Sequence, residues 1–158
     1  MRGAMPIELA TTADIPRLCE LLAVLFTQEA EFSPDPALQA KALHAILGSP
    51  EVGTILVWRD ASGIAGMVSL LYTVSTFLGG RVALLEDLVV DPARRGRGHG
   101  HELLRGAIEH ARGAGCRRIT LLTDGHNAAA RAFYEASGFQ ASSMQPYRLH
   151  LMVDAVVE

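Results

Sequence analysis

The stretch of sequence that decides the fold is Leu84–Leu104, LLEDLVVDPARRGRGHGHELL. It starts as an apolar, strand-like run, enters a loop with Gly96, Gly98 and Gly100, and continues directly into an amphipathic helix. Glycines let a backbone bend and approach a ligand closely, and a helix N-terminus presents unpaired N–H groups at the positive end of its dipole. The stretch therefore predicts a strand–loop–helix unit that binds an anion such as phosphate.

Arginines in the same loop favour a diphosphate ligand. Arg94, Arg95 and Arg97 supply charged hydrogen-bond donors beside the glycines. The spacing excludes two common phosphate loops, because a dinucleotide-binding G-x-G-x-x-G needs a further glycine and a Walker A loop needs G-K-[ST]. Lys41 is the single lysine of the chain and lies far from the loop. A solvated turn that binds nothing is the alternative interpretation of the loop.

Hydrophobic periodicity on either side of this stretch predicts an α/β fold with a sheet of mixed direction and helices on both faces. The predicted strands are residues 6–10, 53–59, 64–73, 82–90, 118–123 and 147–153. The first predicted helix has its N-cap at Thr11/Thr12 and Asp14 in its first turn, and runs to about residue 27; the others lie over 37–47, through 103–111 and over 127–137. We find no repeat or linker, so we expect residues 1–158 to form a single domain.

Composition excludes several classes of protein. The 158 residues carry a net charge of −3, which gives no basic field for nucleic acid. The uncharged run Ala61–Gly80 is interrupted by serine, threonine and glycine, so it suits buried strands better than a membrane span. Residues 1–6 lead into no apolar stretch, which predicts a cytoplasmic protein. Cys19 and Cys116 fit no metal or redox spacing and are interpreted as free thiols.

Two motifs give the chain a specific resemblance. Residues 95–100, Arg95-Gly96-Arg97-Gly98-His99-Gly100, match the R/Q-x-x-G-x-G/A signature of the GNAT superfamily of acyl-coenzyme A-dependent N-acyltransferases. Residues 127–139, NAAARAFYEASGF, resemble its N-x-x-A-x-x-F-Y-x-x-x-G-F element. The resemblance covers about 84–139 in sequence and about 5–153 in the order of elements. It implies a single-domain, mostly antiparallel twisted sheet.

The resemblance also implies acetyl-CoA as co-substrate, with no metal. In that family the loop amides hold the pyrophosphate, a strand edge pairs with pantetheine, and a later segment makes further cofactor contacts. The matching residues are Arg95, Gly96, Arg97, Gly98, His99 and Gly100 for the loop, Leu88, Val89 and Val90 for the strand, and Asn127 and Tyr134 for the later segment. His99 and His101 lack a third ligand, so we interpret them as solvent-facing loop residues.

Acetyl transfer to an amine needs a base for the amine proton and an acid for the departing thiolate. By resemblance Tyr134 is the acid and Glu86 the base, with the backbone N–H groups around Leu88 and Val89 as oxyanion donors. We expect an apolar setting to raise the pKa of Glu86. A β-bulge would let Asp87 take its place. A packed tyrosine and a structural carboxylate are the alternatives.

Charge patterning suggests the kind of acceptor. Acidic residues dominate between Glu8 and Asp35, and arginines dominate between Arg94 and Arg118, which suits an anionic cofactor and a small cationic amine. The candidate substrate residues are Glu29, Glu31, Phe32, Asp35, Glu86 and Asp87.

Several alternatives stay open at this point. The acids of the N-terminal third could simply solvate helix faces. Peptide or protein amines as acceptors, another acyl donor, and a non-catalytic acyl-CoA sensor also remain. The resemblance implies a homodimer that pairs through the C-terminal strands, whereas the net charge and the interrupted apolar run predict that the chain binds neither nucleic acid nor membrane.

Overall fold

The computed structural model describes residues 6–29 and 33–151 of the chain. The described residues divide into two compact units, one ending at Leu122 and the other beginning at Thr123. The first unit contains three helices and five strands, which are β1 (Ile7–Leu9), α1 (Ile15–Gln28), α2 (Pro36–Leu47), β2 (Gly53–Asp60), β3 (Gly63–Ser75), β4 (Gly80–Val90), α3 (His99–Gly113) and β5 (Ile119–Leu121). The second unit contains α4 (Ala128–Glu135). The expectation of a single domain over residues 1–158 stays a prediction.

The strands of the first unit form one sheet in the order β1-β2-β3-β4-β5. The first four strands pair antiparallel, and β5 pairs parallel with β4. Gly63 has a φ of +104° at the β2–β3 turn, where a glycine adopts the left-handed conformation without strain. The mixed, mostly antiparallel α/β sheet predicted from the sequence is therefore confirmed. The uncharged run around residues 61–80 forms β3 and the following turn.

Helices cover the sheet on both faces because its strands alternate two apolar sides. Ile55, Val57 and Met67 pack with Leu18 and Leu21 in the core beneath α1 and α2. On the other face α3 lies so close to β3 that a Cβ atom at Gly66 would come within 2.9 Å of the Leu103 side chain. The two helical layers thus hold β4 and its following loop in place.

Strands β4 and β5 pair only over a short distance. Their register joins Ala83–Leu85 to β5, whereas β4 continues to pair with β3 as far as Val90. From Glu86 to Val90 the β5-facing edge of β4 pairs with no other strand among the described residues. This open strand edge precedes the glycine-rich loop, and its backbone groups on that side have no strand partner, although the Val90 carbonyl accepts from Arg95 Nε at 3.1 Å.

The predicted C-terminal strand over 147–153 is wrong for its described part. Residues 147–151 have no regular secondary structure, and Tyr147, Leu149 and Leu151 are at least 83% exposed. A strand needs a neighbour for its backbone hydrogen bonds, and among the described residues none pairs with this segment. Alternating apolar side chains alone therefore do not make a strand here. Residues 152 and 153 lie outside the described residues. No helix in the described part of the chain is long and apolar enough to span a bilayer.

Candidate active site

The glycine-rich loop forms an open cradle at the start of α3. Gly96 and Gly98 have φ values of +79° and +84°, and no atom lies within 4 Å of where a Cβ would stand on either residue. Gly98 is the N-cap of α3 and supplies no side-chain cap, so the first N–H groups of the helix lack intrahelical partners. These donors and the open space above the glycines fit the pyrophosphate of acetyl-CoA.

The loop arginines have different partners. Arg94 forms an ion pair with Asp60, so its charge is neutralised within the protein. Arg95 donates from Nε to the carbonyl oxygen of Val90 at 3.1 Å. Arg97 is exposed and belongs to none of the ion pairs found among the described residues. Of the three, Arg97 is the guanidinium best placed to meet an anionic ligand.

His99 is not solvent-facing, contrary to the expectation from the sequence. Its side chain is 6% exposed, and its ring centroid lies 3.7 Å from that of Trp58. Neither ring nitrogen has a hydrogen-bond partner among the described residues, while a carboxylate oxygen of Glu102 lies 3.7 Å from Nδ1. His99 is the first residue of α3, so its backbone N–H has no intrahelical partner, and its ring is buried.

A β-bulge lies where β4 leaves β5. Ser69 pairs with Glu86 and Met67 pairs with Val89, so Asp87 and Leu88 together oppose a single residue of β3. Asp87 has a φ of +55° and is the one described non-glycine residue with a positive φ. Aspartate and asparagine tolerate this conformation better than other side chains do. The bulge therefore redirects the side chains of β4 beside the open strand edge.

Asp87 is the carboxylate with the most perturbed acidity. Burial, reinforced by the negative charges of Glu86 and Glu29, raises its pKa to about 6. Glu29 is the C-cap of α1, where the negative end of the helix dipole adds to its charge. The bulge and the end of α1 thus bring together a carboxylate cluster of Glu29, Glu86 and Asp87.

Other predicted substrate and base residues differ from expectation. Glu86 is exposed, so the apolar setting predicted for its carboxylate is wrong. At the bulge Asp87, and not Glu86, is the more buried of the two side chains. The Asp35 carboxylate caps α2 by accepting from the N–H groups of Ala37 at 3.0 Å and Leu38 at 3.4 Å. Glu31 and Phe32 lie outside the described residues.

The second unit contains the two remaining predicted residues. The Asn127 side chain caps α4 by accepting from the N–H of Ala130 at 3.0 Å. Tyr134 lies on α4, with ring centroids of Phe133 and Phe139 at 5.1 Å and 5.8 Å in edge-on geometry. Burial raises the pKa of the Tyr134 phenol, which keeps it protonated and able to donate a proton.

Sequence reasoning missed two features of this region. Arg17 on α1 forms an ion pair with Asp91 at the loop entrance across 74 positions of sequence, and Trp58 stacks on His99. No local spacing marks such partners, because they meet only once the sheet is formed. Within the described residues no group of three histidines, cysteines or acids could hold a metal ion.

Comparison with known proteins identifies the fold and the loop together. The model of the acetyltransferase (GNAT) family matches residues 15–139. "Uncharacterized N-acetyltransferase YhfO" of Bacillus subtilis is 33% identical over 139 residues, which cover 86% of this chain and 90% of that protein. Glucosamine 6-phosphate N-acetyltransferase 1 of Oryza sativa is 33% identical over 124 residues, covering 73% of this chain and 72% of that protein.

A solved structure agrees with these matches. A protein from Agrobacterium tumefaciens described as a "Putative acetyltransferase" superposes with a TM-score of 0.76 at 32% identity, covering 91% of this chain and 98% of the other. The matched region contains the bulged strand, the glycine cradle and the uncapped start of α3. The chain therefore belongs to the acetyltransferase (GNAT) family and is an acetyl-CoA-dependent N-acetyltransferase.

Proposed function

We propose that the protein transfers the acetyl group of acetyl-CoA to the primary amine of a small cationic acceptor. The carboxylate cluster of Glu29, Glu86 and Asp87 carries this proposal. Burial raises the pKa of Asp87 most, and the charges of Glu86 and Glu29 raise it further; a nearby ammonium group would offset both effects. The C-terminus of α1, which is capped by Glu29, favours a cation in the same place.

Asp87 is the better base of the two adjacent acids. A general base works best with a pKa near the operating pH, and Asp87 approaches this with a pKa of about 6. Glu86 is exposed and opposes Ser69 in regular register, so it supports the cluster mainly through its charge. Asp87 would accept the amine proton directly or through water. The sequence-based choice of Glu86 remains the competing assignment.

Tyr134 is the proposed acid. Acetyl-CoA supplies an activated thioester, whose thiolate needs a proton when the acyl group leaves. The conjugate acid of that thiolate has a pKa near 8.5, and the Tyr134 phenol, whose pKa burial raises above its ordinary value, stays protonated until the thiolate forms. The match of residues 127–139 to the family element supports this role.

Tyr134→Phe is expected to lower kcat about tenfold to hundredfold and to leave the KM for acetyl-CoA within about twofold. The substitution removes only the hydroxyl and keeps the ring that packs edge-on with Phe133 and Phe139. Steady-state thiol release at saturating substrates measures both constants. Phe133→Leu serves as the packing control on the same helix. An unchanged kcat in Tyr134→Phe would exclude the acid role.

An acceptor panel tests the substrate class. We expect thiol release with diamines and other small cationic amines, and at least about tenfold lower kcat/KM with glucosamine 6-phosphate, whose phosphate the carboxylate cluster would repel. Glu29→Gln should lower kcat/KM for cations severalfold, and raising the salt concentration should do the same. Turnover restricted to anionic, neutral or peptide acceptors would refute the cationic-amine proposal. Binding of acetyl-CoA without release on any acceptor would favour the sensor.

A further inference from the structure

Two arginines connect the glycine-rich loop to neighbouring elements through ion pairs. Arg17, on α1, pairs with Asp91 at the loop entrance, and Arg94, within the loop, pairs with Asp60 at the end of β2. We refer to these two ion pairs as the loop brace. Neither arginine belongs to the family motifs matched in the sequence, so the brace is a feature that the motifs do not account for.

The Arg17 pair connects three segments at one point. Its Nη2 lies 2.6 Å from Oδ2 of Asp91, and its Nε and Nη2 donate to the carbonyl oxygen of Ile64 at 3.1 Å and 2.9 Å. The other oxygen of Asp91 accepts from the N–H of Ala93 at 2.9 Å and so shapes the turn that leads into the glycines. The Arg17 guanidinium holds the pKa of Asp91 below its usual range.

The Arg94 pair connects the loop to the start of α3. Besides its ion pair with Asp60, the Arg94 guanidinium lies over the Trp58 ring, 5.3 Å from its centroid. The same indole stacks on His99, the residue that follows Gly98. Arg94, Trp58 and His99 therefore form a continuous contact path to the first helical N–H groups.

The arginines that line a cleft beside the brace are already paired with carboxylates of the protein. The cleft has a volume of about 460 Å³, and its lining includes Arg17, Arg59 and Arg94. Each of the three guanidinium groups already has a carboxylate partner, which is Asp91, Asp14 or Asp60. Among the described residues that line the cleft, no unpaired arginine is left to attract an anion. The arginines are therefore better explained by the backbone that they hold than by a second ligand.

We propose that Arg17 and Arg94 are positioning residues, which fix the loop 91–98 and the start of α3 in the conformation that receives the coenzyme A pyrophosphate. The proposal rests on the cofactor site argued above, and it adds that the brace holds the loop in its binding conformation before coenzyme A arrives. A loop fixed before binding loses less conformational freedom when the ligand arrives, so the brace acts on cofactor affinity. None of the ion pairs of the brace includes Asp87 or Tyr134, the proposed base and acid, so kcat at saturating acetyl-CoA should not depend on the brace.

The test is calorimetric titration of coenzyme A into Arg17→Met, Arg94→Met and the double variant. Each single variant is expected to weaken binding about fivefold to tenfold, with kcat at saturating acetyl-CoA within about twofold of wild type. Arg112→Met is the matched control, because Arg112 pairs with Glu109 on the exposed face of α3. Asp91→Asn is a second probe that keeps an oxygen for the Ala93 N–H but removes the charge.

Trp58 supplies a readout independent of activity, since it is the single tryptophan of the chain. In the free Arg94→Met variant we expect stronger acrylamide quenching of its emission than in wild type, reduced again by saturating coenzyme A. Affinities equal to that of Arg112→Met would overturn the proposal, and so would a lowered Tm with unchanged affinity. Absence of binding in the wild type would instead refute the cofactor site itself.

Discussion

Gly98→Val is expected to raise the Kd for coenzyme A by at least about 100-fold, because it strains the loop and fills the space that the phosphate needs. The φ of Gly98 is +84°, a conformation that costs a non-glycine residue about 1–2 kcal/mol and a β-branched residue more. The added side chain would enter the open space where no protein atom lies within 4 Å. Calorimetric titration of the purified variant measures the effect.

Gly115→Val is a control that introduces the same backbone strain as Gly98→Val without filling the space proposed for the phosphate. Gly115 also has a φ of +79°, and no atom lies within 4 Å of where its Cβ would stand, but it follows α3 at the end remote from the cradle. We expect this control to lose thermal stability and to keep wild-type affinity. Tight binding by Gly98→Val would mean that the cofactor phosphates lie elsewhere.

Asp87→Asn is expected to lower kcat by about 10²- to 10⁴-fold, the range that general-base catalysis contributes. The amide has almost the same shape as the carboxylate and tolerates the φ of +55°, so the bulge should persist. In the wild type the pKa of about 6 predicts that kcat/KM rises with pH through that value as Asp87 loses its proton. Initial rates across pH 5 to 8 test both statements.

The same substitution should stabilise the protein at neutral pH. The folded-state pKa of Asp87 is about 6 against an ordinary value of 3.8, so the folded protein holds this proton more tightly than the unfolded chain. The ionised carboxylate therefore costs stability, up to about 3 kcal/mol at pH 7. That cost is absent below the ordinary value, grows as the pH rises and is complete above the folded-state pKa. We expect Asp87→Asn to raise Tm by several degrees at pH 7.5 and by little at pH 4.

Glu86→Gln is the matched control for Asp87→Asn. Glu86 is adjacent in sequence but exposed, so its replacement should leave Tm nearly unchanged and lower kcat modestly by removing a neighbouring charge. If Glu86→Gln were instead the inactive variant and Asp87→Asn fully active, the base would be Glu86, as the sequence alone suggested. Equal, small losses in both variants would assign proton removal to solvent.

The sequence predicts most elements of the first unit because their signals are local. The apolar stripe of α1 and the strand–turn–strand pattern around Asp60–Gly63 each lie within one continuous stretch. The segment 147–151 shows the same kind of alternation, yet it has no strand to pair with among the described residues. The hydrophobic pattern of a segment indicates which of its side chains can be buried. Whether the segment pairs as a strand depends on which other strands lie beside it in the fold.

In the candidate site, too, the features set by local sequence could be predicted and those set by contacts between distant segments could not. The glycine spacing predicts the left-handed turns at Gly96 and Gly98 because few other residues adopt them easily. The bulge at Asp87 depends on a register shift against β3, which no local pattern encodes. The burial of His99 depends likewise on Trp58, which is distant in sequence. The loop could thus be predicted, while the choice between adjacent acids required the fold.

If acetyl-CoA pairs with the open edge of β4 from Glu86 to Val90, as the family resemblance implies, that edge would link the lifetime of the enzyme to its co-substrate. Unpaired strand edges invite other chains to add a strand and aggregate. A ligand that bonds to this edge covers it, and by mass action a ligand at 100 times its Kd also stabilises the fold by about 2.7 kcal/mol. A cell rich in acetyl-CoA would therefore retain more intact enzyme than a starved one, so catalytic capacity would follow the supply of acetyl groups without any dedicated regulator.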